Sequence, residues 1–149
     1  MAHADIDQLL NVLIALAQDL LAEHGEFIPF GASMSTDGEV NAAMAETGEE
    51  HPCSQEVFDV LTDGFRKAAD EGAIRAAGIC LDVRTTPPGA VVEVDAICTR
   101  LEHEGGEVVD AFLPYHRDEA GEITYGKLFA AAGERSVFGS DIADPEQQN

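Results

Sequence analysis

Residues 74–115 read IRAAGICLDVRTTPPGAVVEVDAICTRLEHEGGEVVDAFLPY, which contains three apolar stretches separated by two turn sequences. In the first stretch, apolar side chains recur at every second position from Ala77 to Val83, and this is the period of a β-strand. The TPPG sequence at 86–89 breaks a strand, and the paired glycines at 105–106 suit a hairpin turn. We therefore predict three successive strands, over residues 74–85, 91–101 and 108–115.

Towards the amino end, residues 6–24 carry apolar side chains at three- and four-residue intervals, the spacing of an amphipathic helix. Gly25 is suited to end this helix, because glycine adopts the left-handed conformation without steric cost. At 100° per residue, the apolar side chains span an arc of about 200°. That arc is wider than one sheet face covers, so we expect part of it to contact another surface.

Between this helix and a second one, the sequence predicts a β-hairpin. Residues 27–34 and 39–45 have strand character and flank an Asp-Gly pair, which favours a tight turn. Pro29 has no amide hydrogen, so we expect the first strand to lie at a sheet edge or to begin with a bulge. Over residues 53–71, apolar positions recur at intervals of three and four, and this predicts the second helix.

The predicted elements follow the order α-β-β-α-β-β-β, which gives an α+β fold. The simplest way to bury both apolar helix faces is a two-layer sandwich, with an antiparallel sheet of about five strands and both helices on one face. Residues 123–131 are compatible with either a further strand or a short helix. We predict a single domain over residues 1–138 and a disordered acidic tail over residues 139–149.

The composition is strongly acidic: 8 of the 149 residues are Lys or Arg and 29 are Asp or Glu, for a net charge of −21. This charge argues against nucleic-acid binding through a basic face, while an apolar content of 45% is that of a folded protein. No export signal or apolar stretch of membrane-spanning length is visible. Three widely spaced cysteines favour free thiols. We expect a cytoplasmic protein that contacts neither membranes nor nucleic acids.

Two runs, FGASMSTDGEV at 30–40 and DAICTRLEH…GEVVDAFLPY at 95–115, resemble those of small acidic bacterial proteins without an established function. The order of elements, in addition, resembles the roadblock/longin (profilin-like) domains. This second resemblance is one of topology, and it implies a non-catalytic protein that dimerises and binds small GTPases or other proteins. No motif of that group can be placed on individual residues.

The sequence lacks the common motifs of phosphate-binding loops, dinucleotide-binding loops, hydrolase nucleophile elbows and zinc proteases. We assign no catalytic residue, no metal ligand and no cofactor. One local cluster, formed by Glu49, Glu50, His51 and Cys53, precedes the second helix and offers carboxylates, an imidazole and a thiol. A solvated acidic loop is the favoured interpretation of this cluster, and a reactive thiol or a metal site is the alternative.

Arg84, Arg100 and His103 are candidate ligand-binding residues, because arginine binds carboxylates and phosphates through paired hydrogen bonds. Acidic neighbours make intramolecular ion pairs the favoured interpretation of both arginines. Cys80 and Cys98 lie among apolar residues without basic neighbours, which favours buried thiols over a redox pair.

We predict a non-enzymatic protein–protein interaction module that forms a homodimer. The contact is made either by the surplus apolar side chains of the first helix or by an edge strand that pairs across a twofold axis. The helix residues expected at the interface are Val12, Ile14, Leu16 and Leu21. One alternative is an acidic inhibitor, immunity or chaperone-like protein, whose negative field attracts a basic protein partner. Acidity that serves only solubility or life in high salt would remove the support for that alternative. A third possibility is an enzyme or small-ligand-binding protein whose site is assembled from distant residues.

Overall fold

The computed structural model of the chain describes residues 4–44, 54–133 and 137–138. These residues form an α+β fold with two helices and an antiparallel sheet, as the sequence predicts. The predicted tail over 139–149 lies outside them. The elements are α1 (Ala4–His24), β1 (Phe30–Ser35), β2 (Val40–Ala43), α2 (Ser54–Asp70), β3 (Ile74–Thr85), β4 (Val94–His103), β5 (Val108–Arg117), β6 (Ile123–Tyr125) and β7 (Phe129–Ala132).

Neighbouring strands of the sheet follow the order β2-β1-β3-β4-β5-β6, and β7 also pairs with β5. The sheet has more strands than the predicted five because the region left open between strand and helix forms both β6 and β7. Pro29 predicted that β1 lies at a sheet edge or begins with a bulge. β1 lies instead inside the sheet, between β2 and β3, and its register shifts at its end, between Met34 and Ser35. The strand begins only at Phe30, so the missing amide hydrogen of the preceding proline removes no bond from the ladder.

β6 and β7 are two parts of one interrupted edge strand alongside β5. β6 pairs with the end of β5 and β7 with its beginning, and between them residues 113–114 face residues 126–128. The extra residue in the facing segment is a β-bulge. Pro114 explains why the bulge lies at this point, because proline has no amide hydrogen to donate to a neighbouring strand. Its carbonyl oxygen accepts a hydrogen bond from the Gly126 N–H at 2.8 Å.

The two helices pack on opposite faces of the sheet, so the prediction that both lie on one face is wrong. Along β3, Ala76 and Cys80 belong to the core formed with α1, whereas Ala77 and Ile79 belong to the core formed with α2. Successive side chains of a strand point to opposite faces of a sheet. The architecture therefore has three layers, with the sheet between α1 and α2.

Small side chains on β3 explain why the sequence pattern revealed only one of its two buried faces. Ala77 and Ile79 stand out as apolar positions, while the face towards α1 includes Gly78, which shows no hydropathic signal. Gly78 nevertheless allows α1 to approach β3 closely, because a Cβ atom there would lie 2.6 Å from Leu13 Cδ1. Glycine in a strand often marks such a close approach.

The start of β4 also differs from the prediction. The strand begins at Val94, three residues later than predicted, and Val91 and Val92 lie in the preceding loop with 95% and 66% of their surfaces exposed. The β-propensity of valine placed them in a strand, but no neighbouring element covers them. In the described ranges, neither helix is both long and apolar enough to cross a bilayer.

Candidate functional site

The three candidate ligand-binding residues, Arg84, Arg100 and His103, do not converge on one site. Arg84 pairs with Asp95 at one end of the β3–β4 ladder, and His103 lies at the other end, opposite Ala76. Eight residues of strand separate these ends, a distance of about 26 Å at 3.3 Å per residue. Arg100 lies on the opposite face of the sheet, where its guanidinium carbon is 5.6 Å from the centre of a ring on α2.

Each arginine is already engaged by an acidic neighbour. Arg84 donates to Asp95 Oδ1 at 3.2 Å, and its guanidinium also lies 3.8 Å from a Glu93 carboxylate oxygen. Arg100 donates to Asp110 Oδ1 at 3.2 Å and stacks against Phe58. These are the intramolecular ion pairs that the sequence favours. The Arg84 pair is exposed, and such pairs stabilise a fold by about 0–1 kcal/mol.

His103 is buried in a hydrogen-bonded cluster that joins the start of α1 to β3 and β4. Its Nδ1 accepts the Gly105 N–H at 2.9 Å, so the ring proton resides on Nε2, which donates to Asp5 Oδ2 at 2.9 Å. Arg75 donates to the other oxygen of Asp5 at 3.1 Å. Both ring nitrogens are therefore occupied within the protein. A general base needs a free lone pair directed at a substrate, so this geometry favours a structural role for His103.

The Asp5 carboxylate provides a test of that structural role. The hydrogen bond from His103, together with Arg75, lowers the pKa of Asp5 from its ordinary value of 3.8. A carboxylate with a lowered pKa stabilises the fold above its unfolded-state pKa, and the stabilisation is lost as the pH falls through the folded-state pKa. We expect Asp5→Asn to decrease the free energy of unfolding at pH 7 by about 1–2 kcal/mol. We also expect the free energy of unfolding of the variant to fall less steeply than that of the wild type as the pH drops below about 4.

Urea titrations of the wild type and of Asp5→Asn at several pH values measure both effects. Asp7→Asn is the matched control, because Asp7 is an exposed residue in the same helical turn. An acid-dependent loss of stability in Asp5→Asn that is as steep as in the wild type would contradict this account of the cluster.

The two described cysteines lie on opposite faces of the sheet. Cys80 belongs to the core under α1, where its sulfur is 3.8 Å from Thr99 Oγ1. Leu81, the next residue, is the partner of Cys98, so the Cys98 side chain lies with Leu81 on the face towards α2. Burial raises the pKa of both thiols to about 12. The sequence prediction of buried thiols agrees with this geometry, and a disulfide between the two would have to pass through the sheet.

We expect neither Cys80 nor Cys98 to react with iodoacetamide in the folded protein at pH 8, because the thiolate is the reactive species and both pKa values lie far above that pH. Both thiols should react once the protein is unfolded in guanidinium. Mass spectrometry of the digested peptides measures each site separately. Rapid alkylation of Cys80 in the native protein would show that this face of the sheet opens in solution.

Glu102 is a buried carboxylate on the face of the sheet towards α2, with 5% of its surface exposed. Its oxygens accept the backbone N–H groups of Val137, at 3.1 Å, and of Phe138. The side chains of these two residues pack into the core beneath α2. The carboxylate therefore fixes a late segment of the chain to β4, which is a structural function that the sequence did not indicate.

No site for a metal ion emerges from the part of the chain that the structure describes, where no three His, Cys, Asp or Glu side chains come together as ligands. The cluster of Glu49, Glu50, His51 and Cys53 lies outside the described residues. Its two interpretations, a solvated loop or a reactive site, remain predictions.

The outer face of α1 is only in part the surplus surface that the sequence predicts. Leu21 is 1% exposed and belongs to the core, so its prediction as an interface residue is wrong. It lies four residues after Ala17, on the stripe that contacts the sheet. Ile14 and Leu16 are half-buried and also pack against this core, and Val12 is half-buried. The wide apolar arc is thus largely covered by the chain's own sheet, and the homodimer through this face stays a prediction.

The edge strand β2 is a second candidate surface within the described residues. β2 pairs with β1 alone in the described sheet. The Ser35 N–H donates to the Glu39 carbonyl at 2.8 Å, which makes these two a hydrogen-bonded pair. Because bonded and non-bonded pairs alternate along an antiparallel ladder, Asn41 and Ala43 direct their backbone groups to β1. Val40 and Ala42 therefore direct theirs away from the sheet.

An apolar groove runs along β2 on each face of the sheet. The first, which we call the α1 groove, has a volume of about 480 Å³ and is lined by Leu16, Asp19, Leu20, Ala22, Glu23, Phe30, Ala42 and Met44. The second, the α2 groove, has a volume of about 430 Å³ and is lined by Ser33, Ala43, Met44, Val60, Leu61, Gly64, Phe65 and Ala68. Both volumes fall within the range of about 300–1,000 Å³ that is typical of ligand-binding clefts.

Small residues at the edge leave both grooves open. Ala42 and Ala43 are the β2 residues that line the α1 groove and the α2 groove, respectively. Gly64 faces the α2 groove, with no atom within 4 Å of the Cβ it lacks. Met44 lines both grooves and is 62% exposed. The sequence reasoning missed this surface. The available signal was the run of small residues in a strand, which has too little apolar area to pack as densely as a core strand.

Comparison of the chain with protein-family models, with characterised proteins and with solved structures gives no match. The resemblance to roadblock/longin domains therefore stays a prediction.

Proposed function

We propose that the protein is a non-enzymatic binding module that receives an extended segment of a partner protein at β2, as an additional strand of its sheet. The observation that carries this proposal is the edge strand β2, which has outward-facing backbone groups and an apolar groove on either side. An enzymatic function has less support, because the candidate residues Arg84, Arg100 and His103 are separated and already paired.

The geometry of an added strand matches both parts of this surface. Strand addition draws affinity from main-chain hydrogen bonds and specificity from pockets that receive alternate side chains. Val40 and Ala42 offer the main-chain groups. Because successive side chains of the incoming strand would point to opposite faces, one set would enter the α1 groove and the other set the α2 groove.

The open edge itself is a second reason to expect a partner. Exposed edge strands carry a risk of uncontrolled pairing, and proteins commonly protect them with proline, lysine, inward-pointing charges or a covering element. β2 has the sequence VNAA, which contains none of these residues.

A reducing compartment such as the cytoplasm suits such a module, since Cys80 and Cys98 are free thiols.

The variant Ala42→Pro tests the proposal. Proline at position 42 removes an N–H that faces away from β1, so the existing ladder keeps its bonds, and an edge strand tolerates proline in that orientation. The probe is a seven-residue peptide of alternating valine and threonine with blocked termini. We expect it to shift the NMR signals of Val40 and Ala42 in the wild type. In Ala42→Pro we expect at least about tenfold weaker binding, because the variant lacks the N–H that would donate to the peptide. A tenfold change in affinity corresponds to about 1.4 kcal/mol.

Ala42→Ser is the matched control, because it retains the backbone N–H and changes the side chain little. We expect it to bind the peptide with nearly wild-type affinity. Thermal unfolding of both variants checks that the fold is retained. Equal affinity for the peptide in Ala42→Pro and the wild type would contradict the proposal, as would the absence of any binding at millimolar peptide.

A further inference from the structure

The charges of the chain are distributed unevenly about the β2 edge. The first 65 residues contain 13 Asp and Glu and no Lys or Arg, and all eight cationic residues follow them. This segment provides α1, β1, β2 and α2 as far as Phe65, and therefore every residue that lines the two grooves except Ala68. The surface around the β2 edge is thus built from the part of the chain that carries only negative charge.

The cations closest to this surface along the chain offset only part of its charge, and Arg75 is the one that reaches the turn before β2, where it donates to the Thr36 carbonyl at 3.0 Å. Arg66 pairs with Asp63 at 3.7 Å, and Arg75 pairs with Asp5. Lys67 lies in the last turn of α2, exposed, between Phe65 and Ala68 of the α2 groove, so the carboxylates that face an incoming strand are those of the α1 groove and of the turn before β2.

Acidic side chains stand at the wall of the α1 groove and beside β2. Asp19 and Glu23 line the α1 groove itself, and Glu23 is exposed to solvent. Asp37 and Glu39 lie in the turn that leads into β2, and both are exposed. An incoming strand would therefore have apolar surface beneath alternate side chains and carboxylates near its ends.

From this arrangement we infer that the segment bound at β2 is cationic, with apolar residues at alternating positions and lysine or arginine at its flanks. The inference rests on the proposed function, because it describes the occupant of that same edge. Opposite charges at the rim of an interface accelerate association and exclude partners of the same charge. A cationic segment gains both effects here, and an acidic one is repelled.

The same charges argue against a second copy of this chain as the occupant of β2. Pairing of two β2 strands about a twofold axis would bring together two segments that each carry 13 acidic residues and no Lys or Arg. Like charges in close juxtaposition oppose association. The small side chains of Ala42 and Ala43 would, in addition, meet one another, leaving much of each groove unfilled.

Three peptides that share the valine–threonine core test the inference, with two lysines, two glutamates or two threonines added at the ends. At 50 mM salt we expect the lysine peptide to bind at least about tenfold more tightly than the glutamate peptide. At 500 mM salt we expect the difference to fall to about threefold or less, because salt screens exposed charges. Fluorescence anisotropy of labelled peptides measures all three affinities.

The double variant Asp19→Asn/Glu23→Gln should lose part of the preference for the lysine peptide, while affinity for the threonine peptide stays the same. Glu119→Gln is the matched control, because Glu119 is an exposed carboxylate in the turn between β5 and β6. We expect it to leave the lysine preference unchanged.

The outcomes separate this inference from the proposed function. Equal binding of the lysine and glutamate peptides, both abolished by Ala42→Pro, would overturn the cationic partner and leave strand addition intact. Binding of none of the three peptides would overturn the proposed function as well. A dimer of the free protein in sedimentation experiments that Ala42→Pro dissociates would identify a second copy as the occupant, and would also overturn the inference.

Discussion

Replacement of Leu13 by alanine is expected to decrease the free energy of unfolding by about 3–5 kcal/mol. Leu13 is fully buried at the middle of α1 and belongs to the core that includes residues of β1, β3, β4 and β5. Its Cδ1 occupies the space that Gly78 leaves by lacking a side chain. Truncation would remove the contacts of the leucine and leave a cavity. The sheet cannot close this cavity, because the hydrogen bonds between β3 and β4 fix the positions of both strands.

Urea unfolding followed by circular dichroism measures this loss. Asn11→Ala is the control on the same helix, because Asn11 is exposed and alanine has the higher helix propensity. We expect that control to change stability by about 0.5 kcal/mol or less. A loss below about 1 kcal/mol in Leu13→Ala, well short of the range for buried leucines, would mean that α1 is not packed on the sheet as described.

Gly31→Ala is expected to destabilise the protein by about 2–3 kcal/mol, the effect of forcing an additional carbon into a packed core. A Cβ atom on Gly31 would lie 2.7 Å from the carbonyl oxygen of Gly78 and 2.8 Å from a ring carbon of Phe65. The oxygen belongs to the backbone of β3, so it cannot move without disturbing the β1–β3 ladder. The added methyl group therefore separates either α2 or β3 from β1.

Gly64→Ala is the matched comparison for this prediction. Gly64 lies within α2, and a Cβ atom there would have no other atom within 4 Å. Because alanine has the higher helix propensity, we expect this variant to gain about 0.5–1 kcal/mol. The same Gly→Ala substitution would then lower the free energy of unfolding at position 31 and raise it at position 64. Equal effects of the two substitutions would contradict the contact between α2 and β1.

The sequence was most informative where one periodicity dominated. The alternation from Ala77 to Val83 predicted β3, and the apolar spacing after Asp5 predicted α1, because hydropathy alone determines both patterns. The face on which α2 packs depends instead on how closely the backbones approach. Gly31 permits the approach of α2 and Gly78 permits that of α1, but a missing side chain gives no hydropathic signal. The arrangement of the two helices therefore could not be derived from the pattern.

In the candidate site, too, the sequence pattern revealed local features and not contacts between distant residues. Arg84 and Arg100 were identified as charged residues in strands, and their pairing with nearby carboxylates followed from the acidic composition. The partnership of His103 with Asp5 joins residues 98 positions apart, and no local pattern encodes it. The β2 edge was missed for a related reason. Its two grooves are lined by residues of α1 on one face of the sheet and of α2 on the other, and no local pattern encodes that arrangement.

Amide hydrogen exchange at β2, with and without the lysine peptide, tests strand addition most directly. In the free protein, the amides of Asn41 and Ala43 should be protected by their bonds to β1, while those of Val40 and Ala42 exchange rapidly. Saturation with the peptide should slow exchange at Val40 and Ala42 by at least about tenfold, because both become hydrogen-bonded. If the peptide binds and these two amides continue to exchange at the rate of the free protein, β2 does not receive the added strand.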